Sequence, residues 1–101
     1  MRTVTKAEKE YHDRLCNEIG CIACYIDGIR NYWVSIHHID GRTKPGCHQL
    51  VLPLCGGHHQ HGTGNDKTMI AVHPYKRRFE ARYGSQMALK AMCDELLERA
   101  A

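Results

Sequence analysis

Apolar and polar positions along this chain fall into three successive patterns, and each predicts an element. Residues Thr5-Lys6-Ala7-Glu8 form a capping box, with Thr5 as N-cap and Glu8 three positions on. Ala7, Tyr11, Leu15 and Ile19 then recur every fourth residue, one stripe of a helix that Gly20 is placed to end. Residues 32–39, Tyr-Trp-Val-Ser-Ile-His-His-Ile, are β-branched and aromatic and read as a strand. A polar loop rich in Gly and Pro follows over 40–46. Residues 50–54, Leu-Val-Leu-Pro-Leu, read as a short second strand, and Pro53 confines it to an edge or to the strand end.

Beyond Cys55 the spacing predicts a short helical turn carrying His58, His59 and His61, stopped by the polar stretch 62–66. Residues 68–73 read as extended, and Pro74 is placed to begin a helix at its first position, running through Tyr75, Phe79 and Tyr83 to Gly84. Ser85 caps a last helix whose apolar face is expected to be Met87, Leu89, Met92, Leu96 and Leu97. There are no repeats, linkers or low-complexity tracts. Residues 1–101 are therefore expected to form a single α+β domain.

Composition sharpens this outline. A chain of 101 residues buries only about two-thirds of its unfolded surface, and it contains one Phe and one Trp. Six Cys and eight His supply what large apolar residues do not. The start, Met1-Arg2-Thr3-Val4-Thr5-Lys6, goes straight into charged residues, and no run of apolar residues is long enough to span a membrane. A reducing cytoplasm is expected, where clustered cysteines favour metal over disulfides. A net charge of +3 does not by itself mark a nucleic-acid binder. Its distribution is uneven, however. Lys76, Arg77, Arg78 and Arg82 crowd one segment against Glu80 alone, and Arg42 and Lys44 follow the first His-His pair. Such a patch is the footprint of phosphate binding, although the 76–82 run also fits the wet face of a helix.

Cys21-Ile22-Ala23-Cys24 and Cys55-Gly56-Gly57-His58 have the same two-residue spacing. Structural zinc takes four tetrahedral ligands, commonly from two such knuckles, so Cys21, Cys24, Cys55 and His58 are the expected site for structural Zn²⁺. The glycines of the second knuckle suit a tight turn and close backbone approach. Cys16 and Cys93 read as small buried hydrophobes. Cys47, beside His48 in a loop, has no role evident from sequence.

Zinc at the knuckles leaves His37, His38, His48, His59 and His73 unexplained. His37 and His38 point to opposite faces of a regular strand and reach one site only if the chain bends near Asp40-Gly41. His12 and His61 read as solvated. A strand ending in His37-His38, a loop, a second strand and a turn headed Cys55-Gly56-Gly57-His58-His59 resembles the HNH, or ββα-metal, endonuclease motif. The wider pattern includes Gly20-Cys21-Ile22-Ala23-Cys24, His48, Leu52-Pro53-Leu54-Cys55, His73 and Phe79-Glu80-Ala81-Arg82-Tyr83-Gly84. It is similar to the phage recombination-enhancement (Ref-like) nucleases, which cut DNA with the help of a RecA filament.

The resemblance implies a small zinc-stapled ββα-metal fold with flanking N- and C-terminal helices, and metal-dependent hydrolysis of DNA in phage or prophage recombination. His38 matches the base that takes a proton from the attacking water. His37 and His59 match the ligands of a catalytic divalent ion, Mg²⁺ or another. Arg42, Lys44, Lys76, Arg77, Arg78 and Arg82 are the candidate DNA contacts. The asparagine that orients the base in HNH enzymes has no evident counterpart. His48 or Gln49 occupies that neighbourhood, and His48 is alternatively a partner of His73 in a second metal site. The competing class is a non-catalytic zinc module for DNA or protein. It needs Cys21, Cys24, Cys55 and His58 but has no use for His37, His38 and His59 together. A secreted disulfide scaffold suits neither the N-terminus nor the histidine content.

Overall fold

A computed structural model describes residues 3–62 and 69–100. The elements run α1 (Lys6–Arg14), a π-helical turn (Leu15–Ile19), α2 (Ile22–Ile26), β1 (Val34–His38), β2 (Val51–Cys55), a second π-helical turn (Gly57–His61), α3 (Val72–Tyr83) and α4 (Gln86–Ala100). The chain is α+β with a radius of gyration of 12.9 Å.

The expected capping box opens α1: Thr5 Oγ1 accepts from the Glu8 amide at 3.1 Å and Glu8 Oε1 accepts from the Thr5 amide at 2.9 Å. Of the expected stripe only its far end is core. Ala7 is exposed, Tyr11 half-buried, and Leu15 and Ile19 buried. The last turn widens to a π-helical one and ends at Gly20, whose φ is +76°. A side chain there would meet the Asn31 carbonyl oxygen at 2.4 Å. That carbonyl accepts from the Cys21 amide at 2.8 Å, so the absent Cβ is what lets the 21–24 knuckle close on the segment entering β1.

β1 and β2 pair antiparallel as a two-stranded sheet, with Val34 opposite Cys55, His37 opposite Leu52 and His38 opposite Val51. Each strand has an open edge, which is how Pro53 is tolerated in mid-strand opposite Ile36. The first strand is shorter than expected. Tyr32 and Trp33 precede it, and Trp33 is 88% exposed. β2 is buried along its whole length and packs with Leu15, Ile22, Phe79 and Leu89 into the main core.

The two glycines after Cys55 answer to a contact rather than to an unusual backbone. Neither has a positive φ, but a Cβ on Gly57 would fall 2.1 Å from Met69 Sδ. The region expected to stop the turn and then extend lies, from Thr63 to Thr68, outside the described residues. α3 includes non-helical backbone at His73 and Tyr75, so its regular part begins after Pro74 rather than on it. An extended residue ahead of proline is what the pyrrolidine ring enforces.

In α4 the expected apolar face is rotated. The buried residues are Gln86, Leu89, Cys93 and Leu97, while Met87 is 53% exposed and Met92 also lies outside. Cys93 sets the stripe, as a buried small hydrophobe, with Leu89 and Leu97 four residues to either side. Cys47 is also buried, Cys16 is half-buried, and all six cysteines are free thiols. Among the described residues, no helix is long and apolar enough to cross a membrane.

Candidate metal centres

Cys21 sits at the N-cap of α2, its Sγ accepting from the Cys24 amide at 3.5 Å. Cys24 lies one turn on, Cys55 ends β2, and His58 stands in the π-helical turn that follows. All four are buried, and their ligand atoms lie within 4.8 Å of one another. His58 Nδ1 is 3.5 Å from Cys21 Sγ, 3.5 Å from Cys24 Sγ and 3.2 Å from Cys55 Sγ, and the Cys24 and Cys55 sulfurs are 3.9 Å apart. With zinc–sulfur bonds of about 2.3 Å and zinc–nitrogen bonds of about 2.0 Å, a tetrahedron has edges of about 3.8 Å between sulfurs and about 3.5 Å between sulfur and nitrogen. The four residues thus have the donor set and the spacing to hold a metal ion such as zinc.

Charge supports the same fit. Hydrogen bonding from Cys21 pulls the Cys55 thiol far down, and that same bond together with burial pushes Cys21 up. Burial and the Cys55 charge raise Cys24. Without a cation the pocket tolerates one thiolate among three sulfurs, because neighbouring like charges oppose each other. A divalent ion removes that limit.

His58 is held from behind. Its Nε2–H donates to Tyr83 Oη at 3.0 Å, and the Tyr83 hydroxyl donates to Asp27 Oδ2 at 2.7 Å. Arg82 pairs with the other oxygen of Asp27 at 2.7 Å. The relay fixes the imidazole so that the Nδ1 lone pair faces the sulfurs. Neither Asp27 nor Tyr83 was expected at this centre. Arg82, a candidate DNA contact by sequence, is turned to Asp27 instead.

A second group of histidines converges on the other side of the same turn. His37 on β1, His59 in the π-helical turn and His73 at the start of α3 bring ligand nitrogens within 4.8 Å of one another. The ring centroids of His37 lie 5.1 Å from His59 and 5.0 Å from His73. His37 is only 2% exposed, and its Nε2–H donates to Gln86 Oε1 at 2.7 Å. His59 Nδ1 is 3.2 Å from Ser35 Oγ. His73 joins His37 and His59 here, not His48.

His48 lies beside His38: its Nδ1 is 3.0 Å from His38 Nε2, and its backbone carbonyl accepts from His12 Nε2 at 2.7 Å. His12 is therefore half-buried and engaged, not a solvated surface residue, whereas His61 is exposed. His38 Nδ1 is buried with no protein partner. Because β1 ends at His38 and the chain turns, His37 and His38 both line one cleft of about 230 Å³, with Ile36, Gly41, Arg42, His59, Gln60 and His73. Burial holds both imidazoles at about 4, well below the usual histidine range; Arg42 adds to the effect on His38, and the Gln86 bond opposes it on His37. Burial and the neighbouring His73 likewise lower His59. At neutral pH these rings are uncharged, as metal ligands and proton acceptors must be.

A family described as recombination enhancement, RecA-dependent nuclease matches residues 4–98. The chain belongs to that family. As a RecA-dependent nuclease it acts on DNA. Arg42 lines the histidine cleft and makes no ion pair among the described residues. Lys44 pairs with Asp40 at 3.0 Å on the surface, a contact of ~1 kcal/mol at most. Lys76, Arg77 and Arg78 are exposed and line a cavity of about 490 Å³ with Pro74 and Tyr75, next along the chain from His73.

Proposed function

We propose that the cleft of His37, His38, His59 and His73 hydrolyses DNA phosphodiester bonds by an HNH-type, ββα-metal mechanism. The observation that carries this reading is the convergence of three imidazoles, away from the zinc staple, beside a fourth with a buried unpartnered nitrogen. A stapled binding module has no use for that second group.

His37, His59 and His73 would hold one divalent ion against the scissile phosphate. Such an ion supplies Lewis-acid stabilisation of the charge that develops on the phosphate and leaving oxygens. Three neutral nitrogen donors without a carboxylate suit Zn²⁺, Co²⁺ or Ni²⁺ best, Mn²⁺ less, and Mg²⁺, which prefers oxygen, least. Mg²⁺ would depend on the substrate phosphate and water for its remaining ligands.

His38 takes the proton of the attacking water at Nδ1, the nitrogen left open by its contact with His48. His48 holds the His38 ring, the role that asparagine has in HNH enzymes. Arg42 holds a phosphate oxygen at the cleft, and Lys44, Lys76, Arg77 and Arg78 bind the backbone on either side. Cys21, Cys24, Cys55 and His58 hold structural zinc. Among the described residues no element presents a row of base-reading side chains, and targeting comes from the RecA filament, in a phage or prophage recombination setting within the bacterial cytoplasm.

Nicking of plasmid and of RecA-filament-bound DNA in Mn²⁺ or Mg²⁺ tests the mechanism. His38→Ala should cut ~10²–10⁴-fold more slowly, the usual contribution of a general base. Wild type that cuts neither substrate, or His38→Ala that cuts as fast, refutes it.

A further inference from the structure

Gln86 is the first residue of α4, and its side chain is the main polar group of that helix's buried face, 5% exposed. Both ends of its amide are used. Oε1 accepts from His37 Nε2 at 2.7 Å, and Nε2 donates to Glu80 Oε2 at 3.3 Å. The backbone beneath it is fixed, since Ser85 caps the helix through the Ala88 amide at 3.1 Å.

The donor and acceptor inventory of these groups allows one arrangement. The Glu80 carboxylate only accepts, so the NH₂ end of the amide must face it. That leaves Oε1 against the His37 ring. An oxygen there only accepts, so His37 must carry its proton on Nε2. Its Nδ1 then bears the lone pair, on the side of the ring away from Gln86. The order of cause therefore runs from Glu80 on α3, through Gln86 on α4, to the protonation pattern of a strand histidine.

We propose that Gln86 is a positioning residue for the divalent ion of the cleft, holding His37 in the Nε2–H tautomer so that Nδ1 is the nitrogen offered to the ion. Glu80 sets which way the amide faces. This deepens the reading of His37, His59 and His73 as ligands and rests on it. The C-terminal helices then contribute twice to one centre: α3 brings His73 as a ligand, and the contact between α3 and α4 orients His37. A ligating histidine generally donates its second N–H to a fixed acceptor, and losing that acceptor typically weakens metal affinity 10–100-fold.

The test uses the full chain with its staple zinc in place, ¹⁵N-labelled at histidine, in long-range ¹H–¹⁵N spectra with no ion added to the cleft. Mn²⁺ titration by calorimetry follows. Wild type should show His37 protonated on Nε2. Gln86→Leu should lose that preference and bind Mn²⁺ ~10–100-fold more weakly, while keeping one zinc per chain. The exchange variant Glu80→Gln with Gln86→Glu places a carboxylate against His37 and an amide donor behind it. It should restore both the tautomer and the affinity to within a few-fold of wild type.

A merely structural role for Gln86 would leave the tautomer of Gln86→Leu unchanged, and that result overturns the proposal. So does wild-type His37 protonated on Nδ1, whatever the ion does. Wild type with His37 in the expected tautomer but no Mn²⁺ binding would instead sink the metal reading of the cleft, and with it the positioning role toward an ion. Gln86 would then remain only the residue that sets a tautomer.

Discussion

Replacing Tyr83 with Phe removes one oxygen from behind the staple and tests whether the outer contacts matter. The Tyr83 hydroxyl accepts from His58 Nε2–H at 3.0 Å and donates to Asp27 at 2.7 Å. His58 is almost fully buried, so water cannot readily replace the acceptor. Stripping a buried donor of its acceptor costs about 1–3 kcal/mol. The bond to the Asp27 carboxylate adds up to about 1 kcal/mol, because Asp27 is only half-buried and keeps Arg82. The sum is about 1–4 kcal/mol. In a domain of this size each kcal/mol lowers Tm by about 4–8 °C, so Tyr83→Phe should melt ~4–30 °C below wild type. It should also release zinc to a chelator ~10–100-fold more readily. Scanning calorimetry and a colorimetric zinc assay read the two effects. Asp27→Asn, which keeps an acceptor for the tyrosine, should lose much less. A Tyr83→Phe protein melting within 3 °C of wild type, with unchanged zinc release, would show that the relay orients nothing.

Two further outcomes follow from the same geometry. Stripping the staple should abolish the cooperative thermal transition seen by circular dichroism, because structural zinc contributes about 10 kcal/mol or more, comparable to the whole stability of a small domain; a chelated protein that still melts sharply at the original temperature would contradict this. On pH, the sign follows from a lowered value. His38 at about 4 stays neutral far below the usual 6.5, so kcat/KM for nicking should hold through pH 6 and fall only as pH drops toward that value, while Arg42→Ala, which removes a positive neighbour, should move the acid limb upward; a wild-type limb at or above pH 6.5 would refute the burial argument.

Where one residue type carries one strong preference, sequence and structure agree. Thr5 and Glu8 cap α1 because their side chains satisfy backbone donors locally, with no help from the fold. The two knuckles are legible because thiols and imidazole at matched spacing have few other uses. What escaped depends on contacts across the chain. The apolar face of α4 was misplaced because methionine looks like core, yet Met87 and Met92 stand outside the stripe that packs. Gln86 was missed for the same reason reversed: a glutamine opening a helix looks solvated. Its place on the stripe with Leu89, Cys93 and Leu97 was the available signal. His73 could not be assigned to His37 and His59 from spacing, since it reaches them only after residues that spacing says nothing about. The partner of His12 is a backbone carbonyl, which no motif reveals.

The two centres are not independent neighbours. His58 and His59 are consecutive, and on one helical turn consecutive side chains point apart, so a single turn faces the staple with one imidazole and the cleft with the next. His37 pairs with Leu52, three residues before the staple ligand Cys55. α3, whose first turn carries His73, is fastened to the staple through Tyr83 and His58. Each cleft histidine is therefore referenced to the staple by a peptide bond, a strand register or a helix anchored on a ligand. The cleft in turn engages β1 through His37 and α4 through Gln86, so occupancy of one centre should affect the other, and binding linkage between them is reciprocal in free energy. A metal held by Cys21, Cys24, Cys55 and His58 would therefore fix the turn, the strand end and α3 together, and with them the positions of His37, His59 and His73.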